Sequence, residues 1–366
     1  MRSWIPRSFD TGDRKGIGMK VEKKVIANLE KCYSIAPLKY RGKKHFLVAA
    51  EKQDPCYLFD EEGNIEDTVW DGPGGVMTMV QVPGTEGQFL ATQKFYSPND
   101  SKEAKIVIVT PRGKGDWEVR TLTDLPFVHR FDILTRDGEM YLIACALKSG
   151  HEYKDDWSMP GKVYVAKLPR DLSGFDEEHQ LKLSVLREGL LKNHGYCRVN
   201  EDGVEKSLVC AQQGVFLITP PGPEGDWQVE QLLDEAASDA VLVDLDGDGE
   251  KELGVLSPFH GENIFIYKKR EGRYEQVYAY EKKAEFTHAI YGGELCGKPA
   301  FVVGHRKGER NLLAFTYDFD GKEYTAQILD EDCGPANVYH FVKDGRDYLV
   351  SANREINEIA MYQISK

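Results

Sequence analysis

The stretch KHFLVAAE (residues 44–51) is a short apolar run entered from a charged turn, and the chain writes that pattern seven times. The other six copies are GQFLATQK (87–94), EMYLIACA (139–146), EKSLVCAQ (205–212), EKELGVLS (250–257), KPAFVVGH (298–305) and RDYLVSAN (346–353). Anchored on Leu47, Leu90, Leu142, Leu208, Leu253, Phe301 and Leu349, they recur about every 50 residues, a period at which propellers and solenoids repeat. A second β-rich run follows each copy: CYLFD, KIVIVTP, KVYVAKLP, GVFLITPP, NIFIYKK, NLLAFTY and EIAMYQI. Most of these end in a Gly, Pro or Asp turn and then a more polar strand. The segments TPRGKGDWEVRTL, from Thr110, and TPPGPEGDWQVEQLL, from Thr219, repeat a turn and a strand together, two periods apart.

Four short strands per unit, rich in Val, Ile, Tyr and Phe, make a propeller blade, so the expected fold is an all-β seven-bladed β-propeller. The last repeat runs out after its third strand, at Ile364, while VEKKVIANLE, from Val21, has no strands before it to pair with. The N-terminal strand is therefore expected to complete the seventh blade and close the ring, which removes free sheet edges. Residues 1–18, polar and rich in Arg and Gly, read as a loose tail, and 19–366 as a single domain. DLSGFDEEHQLKLSVL, from Asp171, reads as an insertion plus a strand.

Of the 366 residues, 60 are Asp or Glu and 47 Lys or Arg, a net charge of −13 that repels nucleic acid and anionic membranes. Neither a membrane span nor a leader is recognisable, and the seven cysteines carry no CxxC pair, so a cytoplasmic protein with reduced thiols is expected. P-loop, Rossmann, GxSxG and HExxH motifs are absent, which removes the usual support for nucleotide, hydride and serine-hydrolase chemistry.

In a four-stranded meander the start of the first strand and the turn between the second and third lie at the same end of the blade. Six of the nine histidines fall at those places: His129, His151, His194, His260, His288 and His305. Imidazoles ligate divalent metals and titrate near neutrality, so the convergence points to a metal and acid/base site at one mouth of the ring. Arg306 and Arg354 occupy equivalent turns of successive blades. The insertion LKSGHEYKDDWSMPGK carries His151 and Trp157 over the same mouth. In DLDGDGEKEL, Asp244, Asp246, Asp248 and Glu252 alternate as oxygen donors around a Gly-bearing turn, suited to a structural Ca²⁺ or Mg²⁺ on the opposite face.

That loop resembles the calcium loop of FG-GAP and VCBS propeller repeats, with Glu252 where Asp is usual. VHRFDIL, KNHGYCRV, SPFHG, HAIYGGEL, GHRKGERNLLAFTYD and SANREINEIAMY further resemble the propeller domain of the aldos-2-ulose dehydratase family, over most of residues 120–365. The resemblance implies a metal-dependent carbon-oxygen lyase, a dehydratase, β-eliminase or hydratase, acting on a small keto-sugar or 3-keto-glycoside. It places the metal (Mn, Zn, Co or Ni) among His194, His260, His288 and His305, with His129, His151, Arg306 and Arg354 in catalytic roles. The alternative is a non-catalytic propeller that presents its mouth to a glycan or protein.

Overall fold

The computed structural model describes residues 3–7 and 18–366. These form seven antiparallel sheets laid out as consecutive meanders, the blades of a seven-bladed β-propeller. Blade 1 runs from Cys32 to Trp70, blade 2 from Met79 to Asp124, blade 3 from Val128 to Leu190 and blade 4 from Gly195 to Leu233. Blade 5 runs from Asp239 to Ala279, blade 6 from Thr287 to Asp330, and blade 7 begins at Asn337. Among the described residues, helix is confined to one 3-10 turn, Arg354–Ile356. Each anchor run is a second strand, and its apolar residues are fully buried, as in the strand Lys43–Ala50.

The chain gathers into two compact units, Met1–Ile35 with Ser238–Lys366, and Ala36–Ala237. In the second unit, Leu47, Leu58, Phe89 and Val107 join one core across blades 1 and 2, and Ile143, Val163, Val209 and Phe216 join another across blades 3 and 4. In the first, Val302, Leu312, Leu349, Ala360 and Tyr362 pack blade 6 against blade 7. Each such side chain contributes about 1.5–3 kcal/mol by leaving water. Blades 5 and 6 approach so closely that a Cβ on Gly292 would lie 2.8 Å from that of Val241, which is why glycine stands there.

Blade 7 is completed as the repeat arithmetic requires. Lys20–Asn28 pairs antiparallel with Glu358–Ser365 as its fourth strand. The pairing is reinforced by a buried ion cluster. Lys23 Nζ lies 2.7 Å from Asp330 Oδ2 and 2.7 Å from Glu358 Oε1, while Tyr362 donates its hydroxyl to Asp330 at 2.8 Å. Burial would lower the Lys23 pKa, but the two carboxylates outweigh it and hold the ammonium charged.

The first residues depart from the loose tail expected for 1–18. Ile5–Arg7 adds a fifth strand on Lys20–Asn28, Trp4 packs on Tyr348, and Arg7 Nε reaches Asp330 Oδ1 at 3.3 Å. The sheet edge and the Asp330 carboxylate recruit them; residues 1–2 and 8–17 lie outside the described residues. The insertion is as expected, with 171–183 irregular and Ser184–Leu190 a strand.

Candidate functional site

In the unit that holds blades 5 to 7, the histidines and arginines sit where the meander puts them. His288 begins in the first strand of blade 6, Thr287–Leu295, and is 2% exposed. Its Nδ1 meets the carbonyl of Ala336 at 2.8 Å, and a carbonyl can only accept, so the ring proton is on Nδ1. Nε2 is then the basic nitrogen, and it accepts a 2.8 Å hydrogen bond from the hydroxyl of Tyr33. Tyr33 opens the first strand of blade 1, is 2% exposed, and sets its ring edge-on to His288 at 5.1 Å.

His260 lies between the second and third strands of blade 5. Its ring is stacked between Phe259 at 3.9 Å and Phe286 at 4.1 Å, and 5.5 Å from His288. Its φ of +50° is left-handed, a conformation that costs about 1–3 kcal/mol in a residue with a side chain and is held only by surrounding structure. The ring nitrogens that His260 and His288 offer lie within 4.8 Å of one another.

Phe286 links this pair to the arginines. The Arg306 guanidinium stacks over it at 4.7 Å and turns its Nε and Nη2 to Glu355 Oε1, at 2.8 and 2.7 Å. Arg354 Nη1 reaches the same oxygen at 2.8 Å. Burial would raise the Glu355 pKa, but the two guanidinium groups outweigh it and hold the carboxyl below its usual range. Gly334 closes over Glu355; a Cβ there would lie 2.6 Å from that of Glu355, and its φ of +61° is one glycine adopts freely.

His305 is held by the turn that follows it. Its Nε2 accepts from the Asn311 backbone N–H at 3.0 Å and its Nδ1 meets the Lys307 carbonyl at 3.0 Å. Burial lowers its pKa, as suits a neutral ring that must accept.

The remaining candidate histidines, His129, His151 and His194, belong to the other unit. His129 and His194 stack at 4.4 Å, with His129 Nδ1 3.2 Å from the His194 carbonyl. His151 sits in the insertion against Phe127, its pKa lowered first by burial and then by Lys102 and Lys148. That insertion is pinned from within. Lys148, fully buried, donates to Asn99 Oδ1 at 2.7 Å and to the Asp156 carbonyl at 2.8 Å, and lies over the Trp157 ring. Asp156 ties the loop through the N–H groups of Glu152 and Ser158, which depress its pKa to about 2.

The acidic loop joins the first two strands of blade 5, as expected. Asp244, Asp246 and Glu252 offer oxygens within 4.8 Å of one another. The chain brings its own positive charge to them: Lys268 pairs with Asp246, with Asp248 Oδ2 at 2.7 Å and with Glu252 Oε1 at 3.3 Å. Desolvation would lower the Lys268 pKa, but these hydrogen bonds raise it well above its usual value.

Tyr33, Glu355 and Lys268 were not among the sequence candidates. Tyr33 had a signal: CYSIAPL begins the first strand of blade 1 as THAIYG begins that of blade 6, with tyrosine where the other has histidine.

No protein-family model matches the chain, and no curated protein does. Among solved structures it is similar to a streptogramin B lyase, at 13% identity and a TM-score of 0.56, covering 95% of this chain and 98% of that one. It is also similar to the Dos1 propeller, at 9% identity and a TM-score of 0.52, over 88% of this chain and 75% of that one. Likenesses at such identities show the fold, and the fold they show is the β-propeller.

Proposed function

We propose that this chain is a metal-dependent carbon-oxygen lyase acting on keto-sugars or 3-keto-glycosides, its chemistry centred on Tyr33, His260 and His288. The observation that carries the reading is the pair of neighbouring imidazoles with a buried phenol hydrogen-bonded to one of them. A propeller called a lyase among the similar structures is in keeping with it. The donor set fits a transition metal: the Ala336 carbonyl holds the His288 proton on Nδ1 and leaves Nε2 basic, as outer-sphere carbonyls do for metal-bound histidine. Held by His260 and His288, Mn²⁺, Zn²⁺, Co²⁺ or Ni²⁺ would polarise the sugar ketone and acidify the neighbouring C–H.

The chain's residues do the rest. The Tyr33 hydroxyl rotates about its C–O bond, so a phenol that donates to Nε2 can be re-aimed at a departing oxygen and deliver its proton there. Arg306 and Arg354 hold sugar hydroxyls from the side of Phe286. Seven cysteines held as thiols suit a cytoplasmic setting, and burial pushes the Cys32 and Cys145 thiols up to about 12, keeping them inert.

The test is turnover of a keto-sugar or 3-keto-glycoside, followed as enone absorbance or released aglycone, together with elemental analysis. Chelation is expected to abolish turnover and a transition metal to restore it. Tyr33→Phe is expected to keep the metal and lose about 10²-fold in rate, whereas His288→Ala loses both. Protein free of transition metal and indifferent to chelator would overturn the reading in favour of a binding scaffold.

A further inference from the structure

Three guanidinium nitrogens converge on one oxygen of Glu355, two of them as hydrogen-bond donors. Arg306 Nε, Arg306 Nη2 and Arg354 Nη1 all approach Oε1, at 2.7–2.8 Å. Among the described residues no hydrogen bond reaches Oε2, and none leaves Arg306 Nη1. An arginine beside a carboxylate usually forms a fork in which both oxygens are used. Here one oxygen is crowded and the other is left with its accepting capacity, next to a guanidinium nitrogen with N–H groups to give.

The side chain is also placed to be used. Glu355 keeps 22% of its side chain exposed, against 10% for Arg306 and 11% for Arg354. It is ionised, because the two guanidinium groups hold its carboxyl below the usual range, so it accepts hydrogen bonds and is a poor source of protons. Its backbone is fixed too: its N–H meets the Gly334 carbonyl at 3.4 Å, and Gly334 leaves no room for it to shift. A rigid acceptor beside a rigid donor is complementary to two adjacent hydroxyls, one giving its proton to Oε2 and one accepting from Nη1. A carboxylate or phosphate would meet Oε2 with like charge.

We infer that Glu355, with Arg306, reads a vicinal diol, and that the ligand of this site is a neutral polyol ring rather than a sugar acid or sugar phosphate. The inference rests on the sugar-lyase reading for the kind of molecule, and its test does not depend on turnover. The probes are 1,5-anhydroglucitol, a ring polyol with no ketone to react, its single-deoxy analogues, and the matching uronic acid, titrated calorimetrically into the purified full chain. The wild type is expected to bind the polyol and to lose about tenfold in affinity for one deoxy analogue, roughly 1.4 kcal/mol. Glu355→Gln is expected to lose the same factor for the polyol and to be insensitive to that deoxy change, so the two losses do not add. The uronic acid is expected to bind more weakly than the polyol. Arg306→Lys, which keeps the charge but lacks Nη1, carries the same test should Glu355→Gln fail to fold. Unchanged affinity in both variants, tighter binding of the acid, or no polyol binding by the wild type at millimolar concentration overturns the inference, whether or not any keto-sugar is turned over.

Discussion

Two charged clusters of one unit are satisfied in opposite ways. In the blade 5 loop, three carboxylates close on the Lys268 ammonium, and Glu252 is further held by the Leu245 N–H and the Tyr324 hydroxyl. At the end of blade 7, two guanidinium groups crowd a single oxygen of Glu355. The first cluster carries its own cation, a side chain of the same blade, and so belongs to folding; the second retains donor and acceptor capacity beside two imidazoles, as a ligand site requires. Breaking the first should therefore cost stability, and breaking the second should cost recognition.

The largest effect is expected at a third cluster of the self-contained kind. Lys23→Met takes the ammonium from Asp330, which is fully buried, and removes the ion pairs that tie the N-terminal strand to blade 6 and, through Glu358, to its own blade. Removing one partner of a buried pair costs about 3–5 kcal/mol, so urea denaturation should show a loss of that order. A loss under about 1 kcal/mol would mean that strand pairing alone completes the blade. Next comes Lys268→Met, which leaves Asp246, Asp248 and Glu252 in mutual repulsion and is expected to cost about 2–3 kcal/mol. The variant should also acquire stabilisation by millimolar Ca²⁺, because the carboxylates then lack their internal cation. An unchanged melting temperature in Lys268→Met would break the comparison. Glu355→Gln, by contrast, is expected to melt within about 1 kcal/mol of the wild type, its loss appearing in ligand affinity.

What was legible in the sequence follows the same division. The blade count, the completing N-terminal strand and the place of the acidic loop all derive from a period-50 pattern, which is local information repeated seven times. The histidines of blades 5 and 6 were legible because meander geometry assigns an end to every turn. Their partners were not. Tyr33 and His288 are 255 positions apart, and Lys268 meets the Asp246 loop from another strand of the blade. No spacing rule links such pairs, since each depends on how neighbouring strands are brought together. The partners of His305 were hidden for a related reason: the turn after it engages both ring nitrogens, a matter of six residues of backbone conformation. The first strand, Ile5–Arg7, was hidden by its composition, because its stabilisation comes from the edge of Lys20–Asn28 and from the Asp330 carboxylate, more than 300 positions away.

His305 also provides the smallest effect and the clearest sign. Its pKa is lowered in the folded protein because burial disfavours the imidazolium, and Nε2 accepts from the Asn311 N–H. The unfolded chain, with an ordinary pKa near 6.5, therefore takes up the proton first as pH falls. The stabilisation is complete above pH ~6.5 and is lost as the pH drops through that value toward the folded pKa. Thermal melts between pH 7.5 and 5 should accordingly fall more steeply for the wild type than for His305→Gln. The variant itself should lose about 1 kcal/mol at pH 7.5, the worth of one buried hydrogen bond. Parallel melting curves for the two proteins would show that His305 does not titrate differently on unfolding, and a steeper fall for the variant would reverse the assigned proton positions.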